Sequence, residues 1–139
     1  MAEAEGIPPT ASVASVGLGI NYIGQHCYGF SGEIGCSTSS ITAFDFVSGS
    51  GYILFKATFT GPLLYGDPNV GSEANWQISL NDIVIANAHT DTAEGDIIQQ
   101  PQLTFLVPPF TKVKIEVDCK DIAAAYVSCA VLTGRVYGV

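Results

Sequence analysis

At 139 residues the chain fits one domain, large enough to bury a core without a disulfide or metal staple. Its formal net charge of −8, with five Lys and Arg in all, argues against a nucleic-acid or anionic-membrane partner, because a phosphate surface demands clustered cations. Hydrophobic residues reach 47% while charged residues stop at 13%, so part of the surface is expected to be covered by other subunits.

The start, MAEAEGIPP, carries acids where a signal peptide needs a basic region, and no long apolar run is available to span a bilayer. A soluble chain is expected. Residues 1–24 are read as an extended arm or first strand, and residues 25–139 as a single domain. Within the arm, Ser12 to Ile23 is a small-residue extended stretch in which Gly17 and Gly19 permit close backbone approach. Gly24 to Ser40, dense in Gly and Ser, reads as loop.

Ile41–Val47 and Tyr52–Thr60 read as strands separated by the turn cluster SGSG, and Ile53, Phe55, Ala57 and Phe59 share one face. Gly61 to Asn75, with Gly-Pro and Asp-Pro, reads as a long loop. A hairpin follows: Trp76, Ile78 and Leu80 alternate with Gln77 and Ser79, Asn81-Asp82 turns, and Ile83-Val84-Ile85 returns. After the acidic loop HTDTAEGD, Leu103, Phe105 and Val107 form one strand face. Pro108-Pro109 then interrupts, and Val113, Ile115 and Val117 resume with charges opposite. Ala124 to Tyr137 closes the chain as a long strand, although the alanine run DIAAAY also suits a short helix. About eight strands without a helical-period segment predict an all-β, antiparallel sandwich of jelly-roll or Greek-key type.

Candidate chemistry is thin. His89 beside Asp91 permits a Ser/Thr-His-Asp arrangement on paper, and His26 beside Cys27 a Cys–His pair, but hydrophilic residues in one loop offer the former by chance often and a flexible loop is a poor scaffold for it. Asp91, Glu94 and Asp96 carry the ligand type calcium prefers at a spacing that matches no EF-hand loop. Tyr22, Tyr28, Phe30, Tyr65 and Trp76 are candidate sugar platforms, and Trp76 in its apolar setting reads rather as core. Cys27, Cys36, Cys119 and Cys129 lack paired C-x-x-C spacing; buried thiols, a disulfide and metal ligation all remain open. Neither catalysis, nor a cofactor, nor a metal is expected.

The run Trp76 to Asp118, with the segment Val107-Pro108-Pro109-Phe110-Thr111-Lys112-Val113, resembles the small β-sandwich head-decoration (cement) and fibre-type proteins of tailed bacteriophages. The same pattern appears in trimeric jelly-roll modules of the tumour-necrosis-factor and C1q kind, and Phe110 stands where a glycine is often found. The resemblance implies a capsid decoration protein on the virion surface, made in the host cytoplasm, homotrimeric and bound to the major capsid protein. Partner contact is expected through the arm, with Ile7, Val13, Val16, Leu18, Ile20 and Tyr22, and through the late strands. The alternative is a carbohydrate- or receptor-binding module of a tail fibre or lectin.

Overall fold

A computed structural model describes residues 19–64, 67–71, 73–91, 100–120 and 126–138. Eleven strands run in chain order: β1 (Asn21–Ile23), β2 (His26–Phe30), β3 (Ile34–Gly35), β4 (Ile41–Val47), β5 (Tyr52–Leu64), β6 (Asp67–Gly71), β7 (Glu73–Leu80), β8 (Ile83–Asp91), β9 (Gln102–Val107), β10 (Lys112–Cys119) and β11 (Tyr126–Tyr137). No helix occurs among the described residues. The protein is an antiparallel β-sandwich, as its alternating pattern predicts.

One sheet has seven strands, in the order β1-β2-β11-β5-β6, with β3 also on β11 and β9 also on β5. The other has four, β4-β10-β7-β8. The pairs β7–β8, β5–β9, β4–β10 and β2–β11 nest inside one another along the chain, as in a long ribbon folded at β7–β8 and rolled over. That nesting is the jelly-roll pattern, and it puts β2, β5, β9 and β11 in one sheet and β4, β7, β8 and β10 in the other.

The core lies between the sheets and is strongly aromatic. Trp76, Phe44, Phe55 and Phe59 are fully buried. Phe59 and Trp76 meet across the sandwich with ring centroids 4.8 Å apart, and Phe46 meets Phe55 edge-on at 5.9 Å. Such pairs add to the stabilisation from burial alone. Opposite these rings the other sheet positions are small: Gly134 faces Phe55 and Ala130 faces Phe59 across the β5–β11 ladder. Large against small is how a thin core reaches native packing density.

Several local expectations change. The stretch 24–40 is not a loop throughout, because HCYGF alternates buried Cys27 and Gly29 with exposed His26, Tyr28 and Phe30. Gly29 marks close packing rather than a turn: a Cβ there would sit 2.9 Å from Phe44 Cε1 and 3.0 Å from Ile20 Cγ2. The stretch 61–75 is likewise mostly strand, since β5 continues to Leu64 and β6 follows. Gly61 adopts φ +100° where β11 is bulged, and a side chain would meet the Val127 carbonyl at 2.6 Å. The alanine run at 121–125 lies outside the described residues.

The strands flanking Pro108-Pro109 belong to different sheets, β9 to the seven-stranded and β10 to the four-stranded. The prolines therefore make a crossing rather than a hairpin. Ser48 anchors that crossing: its hydroxyl donates to the Pro108 carbonyl and accepts from the Thr111 amide, each at 2.8 Å. Phe110 sits in the left-handed region at φ 55°, which explains why glycine suits such a turn. The hairpin turn matches its sequence signal, with Asn81 at φ 50° and Asp82 at φ 66°, the geometry of a type I′ turn.

Gly134 provides the sharpest test of this packing. Its missing side chain leaves room for three neighbours, and a Cβ would stand 2.7 Å from Cys27 Sγ and 2.9 Å from both Ile53 Cγ2 and Phe55 Cδ1. Gly134→Ala should cost about 1–3 kcal/mol by overpacking, read as a lower urea midpoint. An unchanged midpoint would mean the β2–β11–β5 core is looser than described.

Candidate assembly surface

The two outer faces of the sandwich differ in chemistry. On the four-stranded sheet, β10 turns Lys112, Lys114, Glu116 and Asp118 outward. All three of its neighbouring lysines are paired: Lys114 with Glu116 at 3.2 Å, Lys112 with Asp82 at 3.7 Å, Lys120 with Glu73 at 3.9 Å. This is a self-satisfied, solvated surface. Apolar side chains are exposed there at the tip of edge strand β8, at Ile83, Val84 and Ile85, and at Val47 on β4.

The seven-stranded sheet presents the opposite character. Alternation turns Tyr28 and Phe30 outward from β2, Val131 and Tyr137 from β11, Leu54 from β5 and Leu106 from β9. Phe30 is 57% and Leu106 51% exposed, values that mark surface rather than core rim. Strands β2, β5, β9 and β11 contain no Asp or Glu at all. A sheet face that exposes this many large apolar side chains usually marks an interaction surface.

Within that face lies a shallow dish of about 340 Å³, lined by His26, Tyr28, Lys56, Thr104, Thr133 and Arg135 among others. The ladder register explains the grouping: His26 lies directly opposite Arg135, and Lys56 opposite both Thr133 and Thr104. Cross-strand partners sit about 5 Å apart and diagonal ones about 7–8 Å, so Lys56 and Arg135 are neighbours. The Arg135 guanidinium lies 5.5 Å from the centre of the Tyr137 ring. None of His26, Lys56 and Arg135 forms an ion pair with a described carboxylate, unlike the lysines of the other sheet.

The opposite end of the same face is acidic. Glu33 is exposed just before β3, where extending the Ile34–Ser128 register sets it across from Cys129. Burial raises the Cys129 thiol above its ordinary value; a hydrogen bond with Thr60 opposes this, and the Glu33 carboxylate adds to it.

The His26–Cys27 pair conceivable from sequence does not assemble, and the Asp91 side chain of the His89 arrangement lies outside the described residues. His26 points outward and Cys27 inward, because neighbours on a strand face opposite sides. Cys27 is buried and its thiol is pushed up to about 12 by desolvation, the reverse of an activated nucleophile. His89 lies 3.6 Å from Glu73 rather than in a triad, and Thr90 beside it is buried, bonded to the Ala74 carbonyl. All four cysteines are free thiols, and no group of metal-binding side chains converges among the described residues. Glu94 and Asp96 of the candidate calcium loop lie outside those residues.

Of the residues expected to bind a partner, Ile7, Val13, Val16 and Leu18 lie outside the described residues. Ile20 is 2% exposed and belongs to the sandwich core. Tyr22 is half-buried against that core, its hydroxyl enclosed without a hydrogen-bond partner, and desolvation first and Cys27 second raise its phenol. Trp76 is fully buried, so it provides no sugar platform. Lys56 and Arg135 carry no motif that distinguishes them in the sequence. The available signal is their phase on strands, which acquires meaning only once the register is known.

No protein-family model matches the chain, and no curated protein matches it.

Burial of Cys27 has a consequence for alkaline stability. Its thiol ionises near 9 in an exposed chain and near 12 in the fold, so the folded form keeps a proton that the unfolded form loses. Stability should therefore be unaffected below pH 9 and fall as pH rises from 9 towards 12. Cys27→Ala should flatten that decline in urea titrations across this range; an equally steep decline would remove Cys27 as its source.

Proposed function

We propose that the protein is a non-enzymatic structural component of a virion, a capsid decoration protein that assembles with copies of itself and rests on coat subunits. The observation carrying this reading is the exposed apolar side chains of the seven-stranded sheet, set against an opposite face whose lysines are already partnered. Such asymmetry suits a protein with one side against a particle and one side in water. Burying the apolar face supplies attraction, while the ion-paired face keeps the exterior soluble.

The interior supports the same use. A decoration protein needs a rigid body, and nested strand pairs with an aromatic core provide one. Nothing in the described residues supports catalysis: burial holds the Cys27 thiol protonated, and both histidines face solvent. Homotrimeric assembly and attachment to the major capsid protein belong to this proposal, with Leu106, Val131 and Tyr137 as the late-strand contribution.

The double variant Phe30→Ser/Leu106→Ser tests it. Both side chains are exposed, so the urea midpoint should move by no more than about 0.5 kcal/mol equivalent per site. Self-association and capsid attachment, read by sedimentation and by co-pelleting with undecorated heads, should weaken at least about tenfold. Attachment as tight as in the parent protein would count against the assembly role of this face.

A further inference from the structure

The charges on the apolar face are arranged in a way that specifies what covers it. His26 stands directly across the ladder from Arg135, with Lys56 on the adjoining diagonal, and the like charges of Lys56 and Arg135 so placed repel. The chain has five Lys and Arg in total, and the two on this sheet converge here with no carboxylate among the described residues to offset them. Covering the face with an apolar surface alone would strip water from these groups without replacing it, a costly outcome. Whatever docks there brings an acid.

The face itself contains that acid. Glu33 sits at the end of β11 near Cys129, whereas the dish centres on Thr133 and Arg135. From Cys129 to Arg135 is six residues along one strand, about 20 Å. Between them lie Tyr28, Phe30, Val131 and Thr58, uncharged throughout. The face is thus an apolar strip with a carboxylate at one end and cations at the other. A second copy turned end for end matches it.

Resting on the assembly role proposed above, we propose that the dish of one copy receives Glu33 of a neighbouring copy, and that this pairing sets the register of self-association. The acidic occupant is a second copy of this chain: its apolar strip covers Tyr28, Phe30 and Val131 while its Glu33 reaches Lys56 and Arg135. The hydroxyls of Thr104, Thr133 and Tyr28 line the same dish and complete the polar surroundings of the incoming carboxylate. A two-fold contact makes the pairing twice, and a head-to-tail ring makes it once per junction; either way each dish is incomplete without its neighbour.

Charge swapping tests this directly. Sedimentation equilibrium of the full chain at about 0.15 M salt compares the parent with Glu33→Lys, with Lys56→Glu/Arg135→Glu, and with the triple variant combining all three. The first two should each self-associate at least about tenfold more weakly, and the triple variant, with both ends reversed, should regain most of the loss. Recovery in the triple variant also excludes misfolding as the cause. If the parent associates but the charge variants match it, or the triple variant stays weak, the Glu33 pairing is wrong while the assembly role of the face stands. A parent that remains monomeric, and in which Phe30→Ser/Leu106→Ser changes nothing, overturns both.

Discussion

The pairing of β5 with β11 is the constraint on which the rest depends. It holds eleven residue pairs in register from Tyr126–Leu64 to Tyr137–Tyr52, at the centre of the larger sheet. Because side chains alternate across a strand, one ladder writes two surfaces at once. Inward it matches Gly134 to Phe55, Leu132 to Ala57 and Ala130 to Phe59, which seats the aromatic core. Outward it matches Thr133 to Lys56 and Arg135 to Leu54, which builds the basic dish on an apolar ground. A slip of one residue would destroy both. Core packing therefore guards the geometry of the outer face without any side chain serving both purposes.

The bulge between Val127 and Cys129 shows how that register is adjusted. Beyond it, β11 changes partners from β2 to the short β3, and Gly61 on β5 adopts a conformation that leaves no room for a side chain. Past this point Glu33 stands beside Cys129, whose thiol also bonds with Thr60. Irregularities of this kind often re-aim a side chain at a sheet edge.

Much of the architecture was legible in the chain, and the reasons are specific. Ile41–Val47 is bounded as its alternation predicts, and Asn81-Asp82 specifies its hairpin because few other residue pairs accept two positive φ angles. Glycine misled the reading in two places. Gly29 and Gly61 lie within strands, where the residue answers to close packing and to a bulge, yet a sequence shows the same letter for these and for a turn. Pro108-Pro109 was visible as a break but not as a change of sheet, since topology depends on partners far along the chain. The outer face was hidden for the same reason. His26, Lys56 and Arg135 are separated by up to 109 residues and become neighbours only through the β2–β11–β5 register.

The central claim, that the outer face of the seven-stranded sheet is covered in the assembled state, is most directly tested by hydroxyl-radical footprinting of the protein on its particle and in dilute solution. The account predicts that Tyr28, Phe30, Leu54 and Tyr137 lose reactivity on assembly, while Ile83 and His89 on the four-stranded sheet keep theirs. Protection confined to the four-stranded sheet, with those aromatic residues as reactive as before, would contradict it.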